Sequence, residues 1–157
     1  MTARDLGLAA IAAASLVAVG IALTLQYRWE MQPCPWCILQ RLIFVVIAAV
    51  ALLGLLWRGR FGARVAVLLI VALAGCGIAA ALWQHFVAAT AETCALTLAE
   101  RIISTLTLDE RWPEIFTAYA SCKDAAVNLL GIPFEIWSLT LFVLVTVAAV
   151  SAWPRSR

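Results

Sequence analysis

The sequence predicts an all-α membrane protein: a four-transmembrane-helix bundle, one membrane domain over residues 1–157, with a short and a long loop on one side of the bilayer. Three observations carry this expectation. The chain is 65% hydrophobic and only 13% charged, whereas a soluble domain is nearer half apolar and a quarter charged. Four largely apolar stretches of eighteen or more residues are each long enough to cross a bilayer as a helix. The arginines gather at the ends of these stretches, where topology requires them. A net charge of +2 is too small to argue for nucleic acid, and no phosphate-binding glycine loop, metalloprotease motif, internal repeat or low-complexity tract is present.

The first span covers about residues 6–25, with Ser15 and Thr24 as its most polar members. Its basic start resembles a signal peptide, but the apolar run is long for a signal core. Gln26-Tyr27-Arg28-Trp29-Glu30 also offers no small-x-small cleavage site, so an anchoring span is expected. Tyr27 and Trp29 then fall in the interfacial aromatic belt. The second span, about 38–57, ends in a cytoplasmic hairpin over 58–64 that carries three arginines and two glycines. The third, about 65–87, holds Gly75 and Gly77, small residues that let helices approach closely, with Cys76 between them read as a packing residue. The fourth covers about 136–153. In the long loop over 88–135, Leu98, Ile102 and Leu106 recur at helical spacing, which predicts a short amphipathic helix on the membrane surface or against the bundle. Leu130-Gly131-Ile132-Pro133 punctuates the end of that loop.

Charge orients the bundle. Arg4, Arg58, Arg60, Arg64, Arg155 and Arg157 face Asp5 alone on one side, while the other side carries five basic residues against eight acidic ones. The positive-inside bias puts both termini in the cytoplasm and residues 26–37 and 88–135 outside. Four of the five cysteines then meet an oxidising compartment.

The chemistry gathers in Gln32-Pro33-Cys34-Pro35-Trp36-Cys37-Ile38-Leu39-Gln40-Arg41. Two cysteines two residues apart close a small disulfide or poise one sulfur as a thiolate. Cys37 falls near a helix start, where exposed N–H groups favour negative charge, and Arg41 follows one turn later on the same face. Arginine this close to a span boundary either snorkels to the interface or stabilises a thiolate or a reduced anionic cofactor; its position relative to Cys37 favours the second. The four loop cysteines Cys34, Cys37, Cys94 and Cys122 allow three pairings, of which Cys34–Cys37 with Cys94–Cys122 is the simplest. Structural staples are one reading, but so short a loop gains little from closure, which favours redox chemistry. A thiolate zinc site is disfavoured because Cys94 and Cys122 lack close ligand spacing. The lone His85 at the exit of the third span is equally compatible with hydrogen-bonded filler and with a site residue.

The Cys-x-x-Cys before the second of four spans, the arginine four residues on and the distant pair in the second outer loop resemble the DsbB family. These are quinone-linked disulfide oxidases of the bacterial inner membrane. Trp83-Gln84-His85, Leu108-Asp109-Glu110-Arg111-Trp112-Pro113 before Cys122, and Gly131-Ile132-Pro133 extend the resemblance over nearly the whole chain. It implies that Cys94 takes a mixed disulfide with a reduced DsbA-like thioredoxin-fold protein and that Cys122 passes electrons to Cys34. Cys37 is then left facing a bound quinone, ubiquinone or menaquinone, with Arg41 and His85 near the ring. The acidic residue often found before the histidine is Gln84 here. A lipid-soluble acceptor also suits a chain too small for a flavin fold. Two alternatives are a vitamin K epoxide reductase-like enzyme, disfavoured because its Cys-x-x-Cys lies near the last span, and a non-catalytic scaffold braced by disulfides.

Overall fold

In the computed structural model, residues 3–57, 59–88, 97–125 and 128–153 are described. Helix α1 spans Ala3–Arg28, α2 Pro35–Leu56 and α3 Arg60–Trp83, the last continued by one turn of π-helix over Gln84–Ala88. Short helices α4 (Leu98–Thr105), α5 (Leu108–Arg111) and α6 (Pro113–Phe116) form the long loop. A two-residue hairpin, β1 (Asn128–Leu129) with β2 (Ile132–Pro133), leads into α7 (Phe134–Ser151). Its turn is Leu130-Gly131, both with positive φ, a conformation glycine adopts without strain.

Among the described residues four helices are long and apolar enough to cross a membrane: Arg4–Arg28, Pro35–Leu56, Phe61–Ala88 and Phe134–Ser151. The protein is an all-α four-helix membrane bundle, as the composition predicts. Helix starts and stops follow local chemistry. Proline at the first position of α2 has no N–H to leave unpaired, and Thr97 with Glu100 closes a capping box on α4. Helical structure also runs past the apolar stretches, so Tyr27 and Arg28 belong to α1 and the cysteine pair opens α2.

The helices pack in chain order around a core of Leu8, Ile11, Ile47, Val67, Ile70 and Phe142, while Val17, Leu53, Leu68 and Leu144 point outward as a lipid-facing surface requires. Phe142 of α7 stacks on Phe44 of α2 with ring centroids 4.1 Å apart. Gly77 makes that stack possible, because a Cβ there would run into the Phe142 ring. Gly77→Ala is expected to cost about 1–3 kcal/mol by overpacking. Unfolding in detergent measures it, and an unchanged midpoint would show that the stack can yield.

Two sequence expectations need correcting. Gly75 has nothing within 4 Å of its missing side chain, so of these two glycines Gly77 is the one that serves close approach. Cys76 is not a packing residue: it is exposed, in the wall of an open cavity between α2 and α3. Cys76→Ala is therefore expected to shift stability by less than about 0.5 kcal/mol, measured in the same unfolding experiment. The loop helix α4 buries Ala99 and Ile103, and Ile103 joins Ile38 of α2 and Phe116 of α6 in a second small core. Leu98 and Leu106 stay exposed. The helix therefore packs on the bundle.

Candidate functional site

Cys34 is the N-cap of α2, and its sulfur accepts a hydrogen bond from the Cys37 backbone N–H at 3.3 Å. This cap brings the two sulfurs to 3.0 Å. Cys34 is fully buried, whereas Cys37 is partly exposed. On its other side Cys34 hydrogen-bonds Cys122, so one sulfur stands between two others. Hydrogen bonding to Cys122, then to Cys37, together with burial, raises the Cys34 thiol above its ordinary range. The same bond from Cys34 holds Cys122 below the usual thiol value, against the effect of burial, with help from the Trp36 backbone. Cys122 is thereby the sulfur better suited to carry negative charge, and Cys34 the one that keeps its proton.

Three long-range contacts place Cys122. Tyr27 Oη of α1 donates to the Glu114 carbonyl at 2.7 Å, and Arg41 Nη1 donates to the Ile115 carbonyl at 2.6 Å. The backbone N–H of Tyr119 reaches the Pro33 carbonyl at 3.1 Å, one residue before Cys34. The loop is thus sewn across the cysteine turn by bonds whose partners lie up to 87 residues apart.

Beneath the sulfurs lies a polar cluster built by all four spans: Gln26 of α1, Gln40 and Arg41 of α2, Gln84 of the π-helical turn and Glu135 of α7, all buried. Gln40 Nε2 donates to Gln84 Oε1 at 2.7 Å, which turns the Gln84 amide so that Nε2 donates to Cys37 Sγ at 3.3 Å. Arg41 Nη1 also donates to Gln26 Oε1 at 3.1 Å, and the guanidinium is near enough to interact electrostatically with Cys37. Arg41 Nε, though buried, has no hydrogen-bond partner in the structure. His85 Nδ1 lies 2.9 Å from Glu135 Oε1. Gln84→Leu removes the donor to Cys37 and the acceptor of Gln40 and is expected to cost about 1–3 kcal/mol of stability, measured by unfolding in detergent. An unchanged midpoint would show that Gln84 only fills space.

Separately, a cavity of about 1260 Å³ opens between α2 and α3 under the loop; Pro35, Trp36, Trp83, Cys76 and Cys122 are in its wall. It therefore touches the cysteine turn from the side, a feature that no sequence pattern announced.

The structure brings together Cys34, Cys37, Cys122 and Arg41, with His85 next to the Gln84 that touches Cys37. Cys94 lies outside the described residues. Gln26, Gln40, Gln84 and Glu135 were missed as a set. The signal for them was present: each interrupts or borders an apolar run, Gln26 and Gln84 where a span ends and Gln40 and Glu135 where one begins.

A multi-pass helical membrane protein with three neighbouring thiols at one end, one of them fully buried, defines a disulfide-handling class. Residues 4–152 match the family described as Disulfide bond formation protein DsbB, and the chain belongs to that family. It is 37% identical to Disulfide bond formation protein B of Aromatoleum aromaticum, over 97% of this chain and 92% of that one. It is 34% identical to the protein of that name from Pseudomonas syringae pv. tomato, covering 88% and 83% of the two chains. The Nitrosomonas europaea protein of that name is 31% identical, over 88% and 86%.

Proposed function

We propose that this protein is a thiol:quinone oxidoreductase of the bacterial inner membrane. In this reading it reoxidises a periplasmic DsbA-like thioredoxin-fold protein and passes the electrons to a membrane quinone. Both termini are cytoplasmic and Cys34, Cys37, Cys94 and Cys122 face the periplasm. The observation that carries the reading is the position of Cys34, 3.0 Å from Cys37 and hydrogen-bonded to Cys122.

The reduced partner's thiolate attacks a Cys94–Cys122 disulfide at Cys94, and Cys122 leaves as a thiolate. The partner's second thiol then closes its own disulfide and frees Cys94. Cys122 attacks Cys34 in a Cys34–Cys37 disulfide: a Cys34–Cys122 bond forms, the Cys34–Cys37 bond breaks and Cys37 takes the electron pair. A good leaving group speeds this exchange. The α2 N-terminus, the Gln84 amide and the Arg41 charge all favour Cys37 as that leaving group. Cys94 then attacks Cys122 to restore the loop pair and release Cys34.

A bound quinone, ubiquinone or menaquinone, would supply the two-electron acceptor that lets Cys34 and Cys37 close their disulfide again. The residues fit such a group: Arg41 Nε is a buried donor without a partner, suited to a quinone carbonyl oxygen, beside the sulfur that delivers electrons. Arg41 and Cys37 would hold it, with His85 at its edge. The test supplies purified protein with a reduced thioredoxin-fold substrate and added quinone under argon. Loss of quinone absorbance matched one-to-one by substrate disulfide is expected; substrate left reduced, or oxidised with quinone unchanged, would reject the assignment.

A further inference from the structure

Dithiol oxidation releases two protons and quinone reduction consumes two, so the overall reaction balances. The protons consumed must nevertheless be delivered inside the bundle end, whereas those released leave from the sulfurs. One pair in the polar cluster has the chemistry for delivery and no part in the thiol steps. Glu135, in the first turn of α7, is buried and directs Oε1 at His85 Nδ1 over 2.9 Å. His85 is about one-third exposed, while its neighbour Gln84 touches the Cys37 sulfur. The π-helical turn that carries both holds Gln84 toward α2 and His85 toward α7. Such local widening of a helix is frequent at functional sites.

We propose that Glu135 is a positioning residue that fixes His85 in its Nδ1–H tautomer, so that Nε2 carries a proton from the outer aqueous side to the acceptor beside Cys37. The proposal rests on the quinone reading above. In each passage Nε2 gains one proton from water and gives one up, Nδ1–H stays on the Glu135 carboxylate, and the pair returns to its starting state. A second group that orients an imidazole and sets its tautomer is a general device of acid–base sites. Among the described residues Glu135 from α7 is the titratable group in contact with His85; on the α2 side its neighbour Gln84 reaches Cys37, and the α3 residues before Gln84 are apolar back to Cys76.

His85 is the single histidine of the chain, so protein grown with ¹⁵N-histidine and purified without a histidine tag gives one imidazole signal pair. The expected result is a protonated Nδ1 and an unprotonated Nε2 in the wild type, with Nε2–H dominant in Glu135→Leu. Glu135→Gln, which keeps an acceptor at the same place, should retain Nδ1–H and covers the case in which the leucine variant fails to fold. The kcat for quinone reduction in Glu135→Leu should fall on the order of ten- to a hundredfold. Its solvent deuterium isotope effect should rise, while the rate of mixed-disulfide formation with the partner stays unchanged. An Nε2–H ring in the wild type, the same ring signals in wild type and Glu135→Leu, or an unchanged kcat despite a changed tautomer would each overturn the proposal. A wild-type protein with the Nδ1–H ring that reduces no quinone would instead overturn the quinone reading and leave the positioning by Glu135 standing.

Discussion

With Cys37 replaced by serine, the protein is expected to insert and fold but to transfer no electrons to quinone, a loss on the order of a thousandfold or more. The reason is the geometry around Cys34. Cys37 lies 3.0 Å from Cys34 and receives the Gln84 amide, so in the proposed relay it is the sulfur that leaves when Cys34 is attacked and the one that holds the electron pair. A serine hydroxyl can do neither. Cys34→Ser should be equally inactive, yet the two variants should differ in what they accumulate. Cys37→Ser leaves Cys34 and Cys122 in contact and able to close on each other, whereas Cys34→Ser deprives Cys122 of its acceptor. Thiol counting under non-reducing conditions separates the two outcomes. Quinone reduction within tenfold of the wild type by either variant would remove both residues from the relay.

The second large effect is expected at Arg41. Its guanidinium donates to Gln26 of α1 and to the Ile115 carbonyl of the loop, and it leaves Nε for another acceptor. Arg41→Met should raise the KM for quinone at least about tenfold, the equivalent of about 1.4 kcal/mol of lost binding. It should also cost about 2–3 kcal/mol of stability, because charge-assisted hydrogen bonds are lost and the Ile115 carbonyl is left without its donor. Lysine should rescue little, since a compact ammonium cannot serve three acceptors in the fixed fork of a guanidinium. Steady-state kinetics with quinone varied at saturating protein substrate, beside unfolding in detergent, separates binding from stability. A change confined to the KM for the protein substrate would show that Arg41 acts only through the loop it anchors.

Much of this was legible in the chain because it is local. The Cys-x-x-Cys spacing, a helix start near Cys37 and an arginine one turn past it were read over eight residues, although the helix opens at Pro35, ahead of the span expected from about residue 38. What stayed hidden depends on contacts between distant segments. Nothing in the loop over 88–135 says that Tyr119 bonds Pro33 and so lays Cys122 against Cys34. Cys76 shows a second reason. Its depth in the third span follows from counting, but its direction does not, because a membrane helix is apolar on both its lipid face and its core face. Gln40 illustrates a third: it stood inside the cysteine stretch, yet its role depends on Gln84, 44 residues away.

The complete burial of Cys34 has a consequence for fidelity. Thiols dissolved outside can meet the partly exposed Cys122 and Cys37 but not Cys34 itself. In the proposed relay the one sulfur that Cys122 must attack is therefore shielded from small competitors, which favours electrons that enter through the loop pair.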